Sequence, residues 1–472
     1  MIDKTKGGDL AFASALEQAR LVRERQVSPV ELTELYLERI ERLNDKIGAY
    51  LTVAADYARR AAAKAEAEVG KGGLPPFHGV PISIKDLNDT AGIRTTWGTR
   101  AWADRVPTVD DEVVARLKAA GFVILGKTVT PEFGPVNISE PPGYPPGRNP
   151  WNPELACGGS SGGAAAGLAA GLCPVSHGSD GGGSIRNPSS WCGVFGVKPS
   201  RGRISDKPRT QQFFSVQGPI TRYVADAAAM LDAMSGPAPG DAFWAPPPSR
   251  PFLEEAGAPP GKLRIAFTTV PMDSHIPVAP ANAAAAEDAA RVLEGLGHHV
   301  EHVVHPETGT SLLGPSAIMF AAGYAAKAPE MPPLDQLSPW MAGMIQMGRG
   351  ILAADYVAAE HTLIDASRRF IESFSAWDVL VTPTLAGPPP PVGKFADVQM
   401  AQIAELYALT PFTAMFNTTG QPAVTIPWGF DENHMPVGVQ IAGQPAGEAL
   451  LFRLSAQLEE AHPWAHWRPP VS

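Results

Sequence analysis

Cysteine is scarce in this chain of 472 residues, which contains only Cys157, Cys173 and Cys192. Because the number is odd and no CxxC pair occurs, the sequence disfavours both a disulfide framework and a structural zinc site. The histidines are scattered, and their closest group lies in GLGHHVEHVVH, residues 295–305, which we interpret as a loop entering an edge strand. We therefore expect no metal and no organic cofactor.

Charge and long apolar runs are also sparse. Charged residues make up 18% of the chain, and 38 Lys plus Arg against 48 Asp plus Glu give a net charge of −10. This acidic balance, without any basic run, disfavours nucleic acid as a partner. No 18 apolar residues run together, and the first 20 residues lack the apolar core of a signal peptide. We expect a soluble, cytoplasmic protein with no membrane partner.

Apolar residues, at 44%, are abundant enough for a sizeable globular core. Residues 9–45 have the periodicity of two amphipathic helices. The second is predicted to begin at Ser28-Pro29, where Ser28 and Glu31 fit a capping box. The length permits either one large domain or several, so the number of domains has to be judged from the pattern of predicted elements along the chain.

Short apolar segments alternate with helical ones from Gly79 onwards, which indicates an α/β sheet. The predicted strands are VPISIKD, GFVILGKT, LRIAFTTV, WDVLVTPT and PAVTIPWGF, with helices near 110–120 and 281–296. Residues 236–261 are so rich in Pro and Gly that we expect no regular element there. We predict one domain over 1–472, divided into N-terminal helices to about 75, a catalytic core over 76–235, this loop, and a remainder over 262–472 with pocket helices at about 311–375.

Two glycine-rich blocks contain the serines of chemical interest. The first is CGGSSGG, with Ser160 and Ser161, and the second is GSDGGGSIR, which ends in Ser184-Ile185-Arg186. Clustered glycines imply unusual backbone dihedrals and exposed amides. Such amides can form a nest for a developing oxyanion, and the candidates are Gly181, Gly182, Gly183 and Ser184. A flexible glycine loop without chemistry is the alternative interpretation.

Lys85 stands at the end of the segment GVPISIKD, where an apolar strand leads into it. A lysine acts as a base near neutral pH only if its pKa falls by roughly three units, or ~4 kcal/mol. Burial in apolar surroundings supplies such a shift. A lysine at the end of a strand is otherwise an ordinary surface residue.

Together these segments resemble the amidase signature family. The blocks GGSSGG and GSDGGGSIR, the strand GVPISIKD, the segment GKTVTPEFG and the hexapeptide RNPWNP occur in the family's order. Asn417 to Pro427 also resembles its C-terminal strand. The resemblance covers about residues 28–460 and is specific over 79–203. It implies a large mixed β-sheet covered by helices on both sides, in an α/β/α arrangement.

The resemblance also implies site roles. Ser184 would be the nucleophile, Ser160 a bridging serine held by a non-proline cis peptide, and Lys85 the base, with the amides of residues 181–184 as the oxyanion hole. Ser161, Asp180 and Arg186 would support the loop. Gly181 replaces the family's usual threonine, a departure shared with the branch of nylon-oligomer, aryl-acylamide and carbamate hydrolases.

Four other interpretations compete with this one. Gly158–Gly162 matches the G-x-S-x-G nucleophile elbow, although no apolar strand is predicted before it. Gly121–Thr128 matches a P-loop, although its middle residues are predicted to form a strand. Cys157 is a further candidate nucleophile, although cysteine is usually a small buried hydrophobe. The chain would alternatively be the amidase subunit of a tRNA-dependent amidotransferase.

The substrate pocket is predicted from the variable segment 311–352, which has almost no charge. Met and aromatic side chains form adaptable apolar pockets, and the candidates are Met319, Phe320, Trp340 and Met344. Helices packed into the core would show the same pattern. If the pocket interpretation holds, the substrates are neutral small molecules, namely hydrophobic or aryl amides and carbamates, with esters as a side activity. A homodimer is compatible with the sequence.

Overall fold

The computed structural model describes residues 10–208, 213–304, 312–396 and 402–472. Residues 1–9 lie outside these ranges, and residue 9 is the predicted start of the first helix. Residue 305, the last of the histidine-rich stretch, and residue 311, the first of the predicted pocket region, also lie outside them. The helices are α1 (Ala15–Arg23), α2 (Pro29–Ile47), α3 (Ala55–Glu68), α4 (Glu112–Ala119), α5 (Gly162–Ala169), α6 (Arg186–Cys192), α7 (Val224–Met234), α8 (Phe252–Ala256), α9 (Pro280–Gly295), α10 (Leu313–Lys327), α11 (Pro339–Arg349), α12 (Ala353–Phe374), α13 (Ile403–Ala408), α14 (Ala414–Thr419) and α15 (Glu448–Ala461).

The strands alternate with these helices along most of the chain. They are β1 (Tyr50–Val53), β2 (Pro81–Lys85), β3 (Val123–Thr128), β4 (Arg148–Asn149), β5 (Asn152–Ala156), β6 (Val175–Asp180), β7 (Phe195–Lys198), β8 (Val216–Thr221), β9 (Arg264–Phe267), β10 (His299–His302), β11 (Val379–Pro383), β12 (Ala423–Phe430) and β13 (Pro436–Gly443). Each of the five predicted apolar strands is confirmed, and β10 lies at the sheet edge as predicted for the histidine-rich segment.

Eleven of the strands form one mixed sheet in the order β1-β3-β2-β6-β8-β7-β12-β13-β11-β9-β10. Parallel pairs join β2 to β3 and β6, and β9 to β10 and β11, whereas the other pairs are antiparallel. The predicted α/β class with a large mixed sheet is therefore confirmed.

Helices cover both faces of this sheet because side chains alternate along each strand. On β3, Ile124 packs into a core formed with α1, α4, α7, α9 and α15. Its neighbours Val123 and Leu125 pack on the other face against α2, α3 and α5. The sheet thus lies between two helical layers, each with its own apolar core.

The N-terminal capping box is confirmed at the start of α2. Ser28 Oγ accepts a hydrogen bond from Glu31 N at 3.1 Å, and Glu31 Oε2 accepts one from Ser28 N at the same distance. Pro29 occupies the first turn of the helix, where its missing N–H is not needed.

The Pro- and Gly-rich segment 236–261 contains a short helix, so the prediction of no regular element there was wrong. α8 buries Phe252, whose ring centre lies 5.6 Å from that of Phe452 on α15. Glu255 pairs with Arg250 and Arg453. The contacts with Phe452 and Arg453 come from residues about 200 positions away, so composition alone did not reveal them.

The P-loop interpretation of Gly121–Thr128 is also overturned. Residues 123–128 form the fully buried strand β3, so their amides belong to the sheet instead of cradling phosphate. The ammonium group of Lys127 is buried and donates to Thr95 Oγ1 at 2.9 Å. Within the described ranges, no helix is both long and apolar enough to cross a bilayer.

Candidate active site

Lys85 and the second glycine block meet at the carboxyl ends of the neighbouring strands β2 and β6. β2 and β6 are parallel neighbours, with Ile84 opposite His177, so their carboxyl ends point the same way. The Lys85 side chain is fully buried, and its Nζ lies 2.8 Å from Ser160 Oγ and 3.0 Å from Ser179 Oγ. The alternative of an exposed surface lysine is thereby excluded.

Ser160 lies in the turn that leads into α5, and the peptide bond between Gly159 and Ser160 is cis. Gly159 packs so closely that a Cβ there would lie 2.7 Å from backbone atoms of Ile138. The next residue, Ser161, donates from its amide to Ser184 O at 3.0 Å and from its hydroxyl to Ser179 O at 3.0 Å. The first glycine block is thereby joined to the second, which brings Ser160 beside Ser184.

The loop that contains Ser184 runs from the end of β6 to the start of α6 and folds around the carboxylate of Asp180. Oδ1 accepts from Gly183 N at 2.7 Å, and Oδ2 accepts from Ile185 N at 3.1 Å. The amide of Gly183 is therefore engaged by Asp180, which removes it from the predicted oxyanion donors. Gly181, Gly182 and Ser184 stay candidates for that role.

Asp180 and Arg186 form a fully buried ion pair, with Arg186 Nη2 2.9 Å and Nε 3.0 Å from the carboxylate. Burial alone would raise the pKa of Asp180, but the Arg186 guanidinium and further hydrogen bonds hold this pKa well below its usual value. The carboxylate thus stays ionised and does not act as an acid. This geometry fits the predicted structural pair.

Residues far along the chain complete this cluster. Asn417 Nδ2 donates to Asp180 Oδ1 at 2.9 Å, and Arg186 Nη1 donates to Gln440 Oε1 at 2.7 Å. Thr413 Oγ1 donates to Gly182 O at 2.8 Å. Asn417 lies in α14 and not in the strand that the resemblance placed in this segment. That strand, β12, begins only at Ala423.

Sequence reasoning missed Ser179, Thr413 and Gln440. Ser179 directly precedes Asp180 in the second glycine block, so its place in the sequence could have identified it as a candidate site residue. Thr413 and Gln440 offered no local signal, because their partners at 182 and 186 are more than 230 residues away.

The four predicted pocket residues occupy different environments. Met319 and Met344 are buried to 5% and 6% exposure, as expected for helices packed into a core. Phe320 stacks on Phe214 with ring centres 4.7 Å apart. Trp340 lines a cavity of about 110 Å³.

This cavity is built on the segment that follows β3. Its lining includes Pro131, Val136 and Ile138 of that segment, together with residues 338–340 and 395–396. Gly134 of the same segment is not in the lining but approaches the first serine block, since a Cβ there would lie 3.6 Å from Ser160 Oγ. The lining is mainly apolar, with two carboxylates, Glu132 and Glu140. Burial raises the pKa of Glu140, while the Gly393 amide at 3.0 Å partly offsets this effect.

A model of the Amidase family matches residues 31–452. The chain belongs to this amidase family. It is 36% identical over 489 aligned positions to a 6-aminohexanoate-cyclic-dimer hydrolase of Paenarthrobacter ureafaciens, covering 98% of this chain and 97% of that protein. Its structure resembles that of a 6-aminohexanoate cyclic dimer hydrolase complexed with substrate, with a TM-score of 0.92 and 34% identity over 98% and 99% of the two chains.

A bacterial aryl acylamidase of the amidase signature family is a further structural neighbour, with a TM-score of 0.88 and 28% identity over 96% and 97% of the chains. The predicted family and branch are thus confirmed. As an amidase, the protein is a hydrolase of amide C–N bonds.

Two alternative nucleophiles fit the amidase structure poorly. Cys157 is fully buried, and burial raises the pKa of its thiol well above the usual value, which leaves little thiolate. A short strand, β5, does precede Ser160, contrary to our expectation, but it belongs to a separate two-stranded sheet. A nucleophile elbow needs a strand of the main sheet at that place.

No three His, Cys, Asp or Glu side chains among the described residues are grouped so that they could hold a metal ion. The groups gathered around Ser184 are hydroxyls, amides, an amine and one ion-paired carboxylate. These groups are suited to proton transfer and to stabilising an oxyanion.

Proposed function

We propose that this amidase cleaves neutral hydrophobic or aryl amides, and carbamates, through a covalent acyl intermediate on Ser184. The main observation in support is the buried Lys85 amine, 2.8 Å from the hydroxyl of Ser160, with Ser161 joined to Ser184. A buried amine favours its neutral form. It can therefore accept a proton that begins on the nucleophile.

The proposed reaction has two halves. Ser184 Oγ attacks the carbonyl carbon while its proton passes to Ser160 Oγ, and the Ser160 proton passes to Lys85 Nζ. The amides of Gly181, Gly182 and Ser184 stabilise the resulting oxyanion. The relay then protonates the leaving nitrogen as the C–N bond breaks. Water, deprotonated by the same relay, releases the acyl group and restores Ser184.

The apolar cavity on the segment 131–142, in which Gly134 approaches Ser160, supports the proposed substrate class. Apolar side chains such as Val136, Trp340 and Phe395 favour an apolar or aromatic substituent. The carboxylates of Glu132 and Glu140 on the same wall would repel an anionic group. Substrates that contain a carboxylate near the scissile bond are therefore expected to bind poorly.

Replacement of Ser184 by Ala should reduce amide hydrolysis at least about 10³-fold, because the covalent route is lost. The melting temperature should change little. A fluorophosphonate should inactivate the native enzyme, and peptide mass spectrometry should find the label on Ser184. A label on Ser160 or Cys157, or an active Ala variant, would refute the assigned nucleophile.

Both Lys85→Ala and Lys85→Arg should be nearly inactive, since arginine does not release its proton at workable pH. The measurement is kcat for an anilide between pH 6 and 10. Lys64→Arg, a change on the outer helix α3, is the matched control and should retain full activity. Activity in Lys85→Arg close to that of the control would exclude the proton relay.

A substrate panel tests the proposed specificity. We expect kcat/KM for a p-nitroanilide and for an aryl carbamate to exceed kcat/KM for glutamine and malonamate at least tenfold, because the carboxylate of the latter two loses hydration without gaining a cationic partner. All four compounds should be measured at one pH. If glutamine were the best substrate, the amidotransferase interpretation would be favoured instead.

A further inference from the structure

One peptide unit of the nucleophile loop is held at both of its polar ends. The amide of Gly183 donates to Asp180 Oδ1 at 2.7 Å, and the carbonyl of Gly182 accepts from Thr413 Oγ1 at 2.8 Å. A trans peptide is planar, so its N–H and C=O point in opposite directions. Two anchors on opposite sides therefore fix the orientation of this plane.

Side chains pack only loosely against the first two glycines of this loop. A Cβ on Gly182 would meet nothing within 4 Å, and one on Gly181 would meet only Ser215, at 3.9 Å. Gly183, with φ of +122°, packs against the Thr413 hydroxyl, which a Cβ there would approach to 2.3 Å. Consecutive glycines give a backbone great conformational freedom. The orientation of the loop thus depends on hydrogen bonds more than on side-chain packing.

Thr413 is itself firmly placed. Its side chain is fully buried, and its backbone carbonyl accepts from Arg186 Nη1 at 2.8 Å. Three residues earlier, Thr410 Oγ1 accepts from Asn137 Nδ2 at 2.7 Å, and Asn137 belongs to the segment that packs on Gly159. The short segment 410–413 therefore contacts the second serine block directly and is linked to the first through Asn137.

We propose that Thr413 is a positioning residue for the oxyanion hole. Its hydroxyl fixes the plane between Gly182 and Gly183, and with it the ψ of Gly182 and the φ of Gly183. The donor amides on either side, those of Gly182 and Ser184, are thereby oriented towards one point. In this way a hydroxyl from a distant segment stabilises a loop in which Gly181 has replaced the signature's threonine. This inference rests on the proposed function.

Thr413→Val, which removes the hydroxyl but keeps the side-chain shape, should lower kcat about 30-fold and leave KM within twofold. Misdirecting one oxyanion donor has a smaller effect than losing it, which is commonly 10²- to 10³-fold. Thr413→Ser retains the hydroxyl and should restore kcat to within about threefold. A loss of kcat in the Ser variant equal to that in the Val variant would overturn the proposal.

Thr221→Val is the matched control. Thr221 is also fully buried, and its hydroxyl donates to Tyr223 O at 2.8 Å, but it pairs with Val175 at the opposite end of β6 from Asp180. Any general effect of losing a buried hydroxyl–carbonyl bond should appear equally in the melting temperatures of both Val variants. Only Thr413→Val should lose kcat. An equal loss of kcat in Thr221→Val would contradict a specific role.

A tetrahedral adduct gives a second readout. An aryl trifluoromethyl ketone places an oxyanion on Ser184, so its inhibition constant should rise in Thr413→Val by the same factor as kcat/KM falls. An unchanged inhibition constant would overturn the proposal. The nucleophile assignment is tested separately, because an active Ser184→Ala variant would refute the proposed function whatever the Thr413 variants showed.

Discussion

Asp180 is a buried charge whose role is to shape the loop. Both of its oxygens accept backbone amides from the turn, and the Arg186 guanidinium contacts each of them. A buried ion pair stabilises a protein only while both partners are present. The position of Ser184, the proposed nucleophile, and the stability of the fold therefore depend on the same contacts.

Asp180→Asn should lower the free energy of unfolding by about 3–5 kcal/mol, because Arg186 would be left as an uncompensated buried charge. Hydrolysis should fall with it, since Asn has only one acceptor oxygen and the amides of Gly183 and Ile185 cannot both keep their side-chain partner. Urea denaturation measures the first effect and anilide hydrolysis the second. Asp365→Asn removes an exposed pair with Arg368 and should change stability by less than about 1 kcal/mol.

At the scale of single residues, the sequence pointed to candidate chemical groups but not to all of their contacts. Lys85, Ser160 and Ser184 could be named because the glycine blocks and the strand before Lys85 have a distinctive local pattern. That the amide of Gly183 is engaged by Asp180 depends on a turn geometry that composition does not specify. The bond from Thr413 to Gly182 joins residues 231 positions apart, and local patterns contain no information about such a pair.

Helix ends show the same distinction at the scale of elements. The capping box of α2 was predictable because both partners lie within three residues. α7, in contrast, has no side-chain cap of its own, and the amide of Val224 at its first turn donates to Glu459 on α15 at 3.2 Å. Burial raises the pKa of Glu459 to about 7, and nearby Asp226 adds to this effect.

Glu459 should make the protein less stable as pH rises. Because its folded-state pKa is raised, the native state holds a proton that the unfolded state loses above its ordinary pKa of about 4.5. Stability is therefore highest below that value and declines by up to roughly 3 kcal/mol as pH rises through about 7. Glu459→Gln, which mimics the neutral form, should flatten this decline.

Urea denaturation should be measured at pH 5 and pH 8 for the native protein, for Glu459→Gln and for a matched control, Glu460→Gln. Glu460→Gln alters the adjacent, exposed carboxylate and should leave the difference between the two pH values unchanged. An equal difference in the native protein and Glu459→Gln would show that Glu459 has no part in the pH dependence.

At the scale of the whole molecule, the α/β class and the strands were predictable, whereas the strand order was not. Apolar segments of β-branched residues such as β3 and β12 are visible in the sequence, but their neighbours in a mixed sheet depend on contacts between distant segments. Sequence position does not reveal that β7 pairs with β12, across more than 200 residues. The helix α8 was missed for the same reason, since Phe252 and Glu255 are held by α15.

The sheet order divides the chain into two consecutive halves. Of the strands in the large sheet, those up to β8 form one side and those from β9 onwards form the other. The two sides meet where β7 pairs with β12, which we call the seam. Lys85, Ser160 and Ser184 all lie on the N-terminal side, while Thr413, Asn417 and Gln440 come from the C-terminal side. During synthesis, the reactive groups therefore leave the ribosome more than 200 residues before the groups that orient them. On the proposed mechanism, a nascent or truncated chain would have every reacting atom and still lack an organised oxyanion hole, so we expect hydrolysis to begin only after the seam has closed.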